Sequence, residues 1–204
     1  FANPWWRKLR TMASFLYPEF DPVPLENALA AHFGSARLSD VRSSDLLVTA
    51  YDIDAPEPRF FKSWKAAGSD VDPGDSPPDL DFALRDVCRA TSAAPTYYPP
   101  AQIYSMSGTQ HHLIDGVVFA NNPAMCALHA AMRLYRNADS YLVVSLGTGL
   151  HQHPVPYERA RTWGKLQWVR HRDIIDVLFN GVSSTVNYEI RQMFGSRHVD
   201  GTFF

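Results

Sequence analysis

The sequence lacks several features that would quickly assign a protein to a class. Its formal net charge is −2 over 204 residues, which excludes the strongly basic surface of a nucleic-acid-binding protein. No apolar run approaches the ~18 residues of a membrane-spanning helix. There are two cysteines, Cys88 and Cys126. Both fall at apolar positions of predicted helices, so we expect buried free thiols rather than a disulfide.

The beginning of the chain lacks the charged and then apolar segment of a secretory signal. It starts at Phe1 rather than Met and continues directly into Trp5 and Trp6. We therefore expect that upstream sequence has been removed or lies elsewhere. No feature defines a compartment, although the absence of a signal favours a soluble, cytoplasmic protein. The length and the 46% of hydrophobic residues suffice for one domain with a sizeable core over residues 1–204.

The spacing of apolar residues predicts strands that alternate with helices. Predicted strands cover residues 45–51, 59–64, 101–104, 111–114 and 141–145, and predicted helices cover residues 24–33, 80–91, 123–134 and 159–194. The strand at 141–145 is continuously apolar, which favours burial on both faces. The last helical stretch is expected to form one helix or two pieces, and Gly181 is its weak point. This alternation predicts an α/β sheet with helices on both sides.

Asp115 is the most informative residue. It follows the predicted strand His-His-Leu-Ile and precedes Gly116 and a new helix. A carboxylate at a strand end is where an acyl-transfer enzyme places a general base, and Gly116 would let the chain turn without a Cβ that blocks the nucleophile. An Asp before Gly also caps turns in proteins of every kind, so this plainer interpretation stays open on the residue alone.

The chain contains no Gly-x-Ser-x-Gly turn that would supply the serine for such a base. Ser145 is the rival within the chain, because Val143-Val-Ser-Leu-Gly147 has half of that motif after a predicted strand. A nucleophile elbow, however, needs a helix immediately after the turn. Here a loop with Pro154 and Pro156 follows instead. We therefore expect a glycine turn beside the site rather than a nucleophile at Ser145.

Three segments occur in one order with characteristic gaps: Ala-Thr-Ser-Ala-Ala-Pro-Thr-Tyr-Tyr-Pro-Pro at 90–100, Ile-Asp-Gly-Val-Val-Phe-Ala-Asn-Asn-Pro at 114–123, and Val-Val-Ser-Leu-Gly-Thr-Gly at 143–149. Together they closely resemble the patatin-like phospholipase family. The resemblance implies a three-layer α/β/α fold and a Ser–Asp dyad that hydrolyses lipid acyl esters. The family's Asp-Gly-Gly or Asp-Gly-Ala motif matches Asp115-Gly116, and Val117 departs from it.

The family's glycine-rich oxyanion loop and its serine elbow would both precede residue 1. The resemblance therefore implies an incomplete sheet, with Asp115 as general base and Gly116 as the motif turn, but no nucleophile in this chain. We expect the chain to be inactive alone toward glycerolipid or fatty-acyl esters, with no metal or cofactor required. Implied partners are a peripheral membrane surface and the missing N-terminal segment or another chain that covers the sheet edge. The alternative is a non-catalytic remnant that acts as a binding or interaction module.

Other polar side chains have plainer explanations. Asn122 is expected to cap a helix that begins at Pro123, leaving Asn121 as a possible substrate contact. Thr91 and Ser92 suit close packing. Four histidines form two sequence pairs without the additional ligands that a zinc site needs; they are His111, His112, His151 and His153.

The start of the chain is rich in aromatic and apolar residues: Trp5, Trp6, Phe15, Leu16, Tyr17 and Phe20. Residues of this kind usually form core. Two other roles stay open for them, namely lining an acyl-chain pocket and touching a lipid interface.

Overall fold

The computed structural model describes residues 17–70, 76–147, 154–170 and 173–194. Predictions for Trp5, Trp6, Phe15, Leu16 and the His151–His153 pair therefore lie outside the described residues. The chain divides into two compact units, Phe1–Val117 and Val118–Phe204. The first unit combines helices with a sheet, and the described part of the second is helical. The predicted mixed α/β class is thus confirmed, and a single partial domain over residues 1–204 remains a prediction.

The first unit contains a four-stranded sheet and several helices. In chain order its elements are helix α1 (Val23–Phe33), a 3₁₀ turn (Leu38–Asp40), strands β1 (Leu47–Asp52) and β2 (Glu57–Lys62), helices α2 (Ser63–Ala66), α3 (Pro77–Leu80) and α4 (Leu84–Thr91), and strands β3 (Ala101–Tyr104) and β4 (Gln110–Asp115). Helix α1 ends at Phe33 and is followed by Gly34, whose φ of +53° glycine adopts at little cost. This agrees with the predicted helix and its stop.

Helix α5 (Val117–Ala120) begins at the last residue of the first unit, and the remaining helices belong to the second. They are α6 (Ala124–Leu134), α7 (Tyr157–Ala160), α8 (Lys165–Arg170) and α9 (Asp173–Phe194). Helices α7, α8 and α9 occupy most of the predicted helical region 159–194. Gly181, the predicted weak point, lies inside α9 without interrupting it. No helix among the described residues is long and apolar enough to span a membrane.

The sheet has the strand order β2-β1-β4-β3, and every neighbouring pair is antiparallel. β1 and β2 form one hairpin, and β3 and β4 form the other. The central pairing between β1 and β4 sets Ala50 opposite Asp115 and Asp52 opposite Leu113. Asp115 consequently lies at the end of a strand with neighbours on both sides, where strand pairing fixes its backbone.

The core of the first unit lies between the sheet and α4. In β3, Ala101 and Ile103 are buried while Gln102 and Tyr104 are exposed, the alternation of a strand that packs on one face. Helix α4 packs against β1, β3 and β4. The Phe61 and Phe82 rings pack edge to face with centroids 5.0 Å apart. The buried cluster is Leu38, Ala50, Phe61, Ala66, Phe82, Val87, Ala90, Ala93, Ala101, Ile103 and Leu113.

The predicted strand at residues 141–145 is wrong. Residues 141–147 form no helix or strand, and Leu142, Val144 and Leu146 are 90%, 70% and 91% exposed. A strand requires a neighbour to accept and donate its backbone hydrogen bonds. No backbone hydrogen bond joins residues 142–147 to another residue that the structure describes. The apolar run gives these residues a preference for burial but does not itself supply that neighbour.

Candidate active site

Asp115 is held from two sides at the end of β4. On one side it pairs across the sheet with Ala50 of β1. On the other, its backbone N–H donates to the carbonyl oxygen of Ala93, 3.0 Å away, in the segment that follows α4. Ala93 is itself fully buried. The strand, its neighbour and the α4 segment therefore fix the position of the Asp115 backbone before its side chain makes any contact.

The Asp115 carboxyl group is half-buried and has one anchored oxygen. Its Oδ1 accepts a hydrogen bond of 2.9 Å from the backbone N–H of Val117. Burial raises the pKa of Asp115 above its ordinary value, and the hydrogen bond from Val117 opposes that rise without cancelling it. No described residue donates a hydrogen bond to Oδ2. One oxygen thus orients the group, while the other has no hydrogen-bond donor within the described structure.

Gly116 is required by a close backbone approach. A Cβ at this position would lie 2.6 Å from the carbonyl carbon of Thr49 and 2.7 Å from its Cβ, closer than real Cβ atoms approach. Thr49 is in turn held by Thr91, whose hydroxyl donates to the Thr49 carbonyl oxygen at 2.8 Å. The structural reason for glycine here is therefore the contact with β1. The open space for a nucleophile that the sequence suggested stays a prediction.

Thr49 and Ala93 belong to the surroundings of Asp115, although the sequence did not single out either residue. Both are far from Asp115 in the chain and reach it only through strand pairing and a loop contact. A residue pattern read along one segment contains no information about such contacts. Val117, which departs from the family motif, is the first residue of α5 and donates the N–H that orients Asp115.

The polar residues before Pro95 have structural partners. Thr91 binds Thr49 as described, and the Ser92 hydroxyl donates to the carbonyl oxygen of Cys88 at 2.7 Å. This matches the packing role expected for both. Cys88 and Cys126 remain thiols on α4 and α6, not joined in a disulfide, and are partly buried. Burial raises the pKa of the Cys88 thiol, so it stays protonated at neutral pH.

Asn121 and Asn122 lie in the second unit and bind α9. The Asn121 side-chain nitrogen donates to the Phe179 carbonyl oxygen at 3.1 Å and to the Ser183 hydroxyl at 2.9 Å. Asn122 donates to the Asn187 side-chain oxygen at 3.0 Å and accepts from the N–H of Ala124, where α6 begins one residue later than predicted. These amides link the start of α6 to α9. The substrate contact considered for Asn121 stays a prediction.

His111 faces Asp52 at the end of β1, and His112 faces Asp54 in the turn between β1 and β2. The Nδ1 of His111 lies 3.3 Å from Oδ2 of Asp52, and the Nδ1 of His112 lies 2.6 Å from Oδ2 of Asp54. Neither histidine is paired with Asp115, so neither forms a triad with it in this arrangement. Burial raises the pKa of Asp52, but backbone N–H donors and His111 outweigh that effect and lower it. Among the described residues, no three His, Cys, Asp or Glu side chains are grouped to hold a metal ion.

Ser145 lies in the exposed, irregular segment 141–147. A nucleophile elbow requires a strand before the serine, because the sharp strand-to-helix turn is what projects its hydroxyl. That strand is not formed here. Ser145 therefore has the local sequence of half an elbow without the backbone geometry that would make it reactive.

The fold and the site together define a mixed α/β protein that presents a half-buried carboxyl group at the end of a central strand, a position suited to a hydrolase. The sequence pattern of the family described as patatin-like phospholipase matches residues 2–128, more than half of the chain. The chain belongs to the patatin-like phospholipase family.

Curated relatives agree with this assignment. Patatin-like protein 1 of Arabidopsis thaliana is 28% identical over 198 residues, which cover 87% of this chain and 46% of the relative. Patatin-like protein 2 of the same plant is 27% identical, with 95% and 51% covered. Patatin-11 of Solanum tuberosum is 27% identical, with 93% and 51% covered. The chain thus spans about half the length of these relatives.

Proposed function

We propose that this chain contributes the general base, Asp115, to a lipid acyl hydrolase whose serine nucleophile lies outside these 204 residues. The observation that carries the proposal is the half-buried carboxyl group of Asp115, anchored through Oδ1 and without a described hydrogen-bond donor at Oδ2. A base needs one open oxygen at a fixed position, and burial that raises its pKa improves its affinity for the proton.

In the proposed reaction, Oδ2 of Asp115 accepts the proton of the serine hydroxyl as the serine oxygen attacks the ester carbonyl. Backbone donors from a glycine-rich loop stabilise the oxyanion. The carbon–oxygen bond to the leaving alcohol then breaks, and protonated Asp115 returns its proton to that alcohol. A water molecule then attacks the acyl-enzyme as Asp115 takes its proton. The bond between the acyl carbon and the serine oxygen breaks, Asp115 returns the proton to that oxygen, and the fatty acid is released. No metal or cofactor is needed for these steps.

The family supports a proposal for the substrate class. A phospholipase of the A type cleaves carboxylic esters of glycerolipids, so we propose a glycerolipid or fatty-acyl ester as substrate. The serine would come from a Gly-x-Ser-x-Gly turn, which is absent from this sequence. Either a further segment of a longer protein or another chain would supply it. The 204-residue chain alone is then inactive.

Covalent labelling with a fluorophosphonate, which reacts with activated serines, tests where the nucleophile lies. We expect the 204-residue chain to remain unlabelled. A longer protein that contains it should be labelled on a serine outside this chain, and more slowly after Asp115→Asn because the serine loses its base. Labelling of Ser145 in the isolated chain, abolished by Ser145→Ala, would overturn the proposal in favour of a nucleophile within these residues.

A non-catalytic binding module is the second candidate, and one observation favours it. Residues 141–147 expose three large apolar side chains along an irregular segment, a surface that a bound partner would cover. This second function predicts that the fluorophosphonate does not label the longer protein and that ester turnover is the same before and after Asp115→Asn. In that case a binding module accounts for the chain better than a hydrolase does.

A further inference from the structure

The central strands β1 and β4 stop pairing just beyond Asp115. Their register ends with Ala50 opposite Asp115. Continued by one residue, it would set Thr49 opposite Gly116, but Gly116 lies outside β4 and the chain enters α5 at Val117. Backbone groups at the end of a ladder still need hydrogen-bond partners when they are buried. At this point the partners have to come from another part of the chain.

Residues 91–93, at the end of α4 and just after it, supply these partners. The hydroxyl of Thr91 donates to the carbonyl oxygen of Thr49 on β1 at 2.8 Å. Two residues later, the carbonyl oxygen of Ala93 accepts the backbone N–H of Asp115 on β4 at 3.0 Å. One short segment is therefore hydrogen-bonded to both central strands at the place where they cease to pair with each other.

The bond between Thr91 and Thr49 lies in the interior of the first unit. Thr49 is 8% exposed, and the alanines on either side of the bond, Ala90 and Ala93, are fully buried. A buried carbonyl oxygen that loses its donor is costly, because little water can reach it to replace the lost hydrogen bond. The position of the Thr49 carbonyl group therefore depends on the Thr91 hydroxyl.

The Thr49 backbone in turn limits where the candidate base can lie. A Cβ on Gly116 would be 2.6 Å from the Thr49 carbonyl carbon, so the backbones of β1 and Gly116 are already in close contact. Gly116 is bonded to Asp115 and precedes Val117, whose N–H donates to Oδ1 of the base at 2.9 Å. Because close-packed groups transmit displacements, a shift of Thr49 would move the backbone that carries and orients the Asp115 carboxyl group.

The neighbouring hydroxyl, that of Ser92, makes a contact of a different kind. It donates to the carbonyl oxygen of Cys88 at 2.7 Å, one turn earlier in α4. That bond joins the end of α4 to α4 itself and not to a central strand. Thr91 and Ser92 are thus adjacent hydroxyl residues with different partners, which makes Ser92 a matched control for Thr91.

We propose that Thr91 is a positioning residue for the general base, and that its hydroxyl bond to Thr49 keeps β1 and β4 in the arrangement that fixes Asp115. Its effect on turnover rests on the proposed function, whereas the hydrogen bonds themselves do not. In the proposed reaction Thr91 takes no proton. Its loss should reduce the rate of the chemical step more than substrate binding, because a displacement of about 1 Å in a catalytic group costs up to ~10²-fold in rate.

Ester turnover by the longer, active protein that contains this chain tests the assignment. Thr91→Val keeps the size of the side chain and removes its hydroxyl, so kcat should fall roughly 10- to 100-fold while KM stays within about twofold of wild type. Thr91→Ser keeps the donor, and its kcat should stay within about threefold of wild type. Ser92→Ala, the matched control, should also stay within about threefold.

A double variant separates positioning from a general loss of structure. Adding Thr91→Val to Asp115→Asn should change the remaining turnover by less than about twofold, because no base is left to position. Multiplied losses in the double variant, or a loss in Ser92→Ala equal to that in Thr91→Val, would overturn the assignment. Should Thr91→Val fail to fold, Thr91→Cys takes its place in the same cycle, since a thiol is a weak donor.

Amide hydrogen exchange of the 204-residue chain measures the same arrangement without catalysis. Thr91→Val should speed exchange of the Asp115 N–H roughly tenfold and Ser92→Ala should not, because Thr91, unlike Ser92, ties this segment to β1. An unchanged Asp115 amide in Thr91→Val would overturn the inference.

The two measurements also distinguish a failure of this inference from a failure of the proposed function. Full turnover in Thr91→Val together with lost turnover in Asp115→Asn would contradict the role of Thr91 alone. Full turnover in Asp115→Asn would contradict the proposed function and with it the positioning role, and faster exchange in Thr91→Val would then report a structural bond only.

Discussion

Two stretches of similar apolar composition differ in structure in this protein: one is a strand and the other is irregular. Leu-Val-Thr-Ala-Tyr-Asp at 47–52 is β1, paired with β2 on one side and β4 on the other. Tyr-Leu-Val-Val-Ser-Leu-Gly at 141–147 is more continuously apolar, yet it is irregular and exposed. The difference lies in their neighbours, since β1 has two strands to bond with and residues 142–147 have none in the described structure. Strand formation here depends on available partners more than on local composition.

The comparison also explains why the candidate site is well defined in the first unit. Asp115 takes its position from β1 and from the Ala93 carbonyl oxygen, both of which the first unit contains. Ser145, in the unpaired segment, has no comparable support among the described residues. A side chain can serve in catalysis when its backbone is fixed by surrounding structure, and the two residues differ in that respect.

The largest expected loss of stability comes from truncating a buried side chain on one of the paired strands, β1 or β4. Leu113 on β4 is fully buried. Leu113→Ala should lower the free energy of unfolding by ~2–5 kcal/mol, because it removes buried methyl groups and leaves a cavity. Urea denaturation measures this. A loss below ~1 kcal/mol would mean that the core around β4 is not packed as described.

Gly116→Ala tests the close contact between the candidate site and the backbone of β1. The added Cβ meets the Thr49 backbone, which cannot move aside as a side chain could, so we expect a loss of ~1–3 kcal/mol in unfolding free energy. Thr49→Ala in the same chain should not rescue it, since the carbonyl carbon remains. Gly181→Ala is the matched control, because a Cβ there meets nothing within 4 Å and α9 should become equally or more stable. Full rescue by Thr49→Ala would contradict the backbone explanation.

Asp52 on β1 and Asp115 on β4 should change the stability of the fold with pH in opposite directions. The pKa of Asp52 is lowered in the folded state, so its contribution to stability is present above its unfolded pKa and is lost as pH falls through the folded value. The pKa of Asp115 is raised, so protonation favours folding, and that contribution is lost as pH rises through its folded value.

Unfolding measured from acid to neutral pH checks this contrast. Asp52→Asn should be destabilised relative to wild type at neutral pH, with the difference shrinking in acid. Asp115→Asn should be no less stable than wild type at neutral pH, because its amide oxygen still accepts the Val117 N–H. The same pH dependence in both variants would contradict the opposite shifts.

The smallest change in stability should come from a substitution in the irregular segment 141–147. Leu142→Ala makes the same change as Leu113→Ala, but Leu142 is 90% exposed. We expect a change within ~0.5 kcal/mol in unfolding free energy. A loss comparable with that of Leu113→Ala would show that residues 141–147 are buried in solution and would break the comparison between the two stretches.

The sequence predicted those helices, strands and turns that depend on residues close together in the chain. The helix ending at Gly34, the strands around Thr49 and Leu113, and Asp115 at a strand end before a helix all follow from periodicity and turn residues. The contact of Gly116 with Thr49 and the pairing of His111 with Asp52 do not, because each depends on strand register across tens of residues. The strand at 141–145 was predicted wrongly for the same reason, since its apolar pattern says nothing about whether a neighbouring strand exists.

The most direct test of Asp115 as general base is ester turnover by a longer, active protein that contains this chain. Asp115→Asn should lower turnover ~10²- to 10⁴-fold with no loss of stability at neutral pH. Asp54→Asn is the control, since the Asp54 side chain is 60% exposed and pairs with His112, and it should turn over like wild type. Turnover near the wild-type rate in a folded Asp115→Asn protein would remove Asp115 from the mechanism.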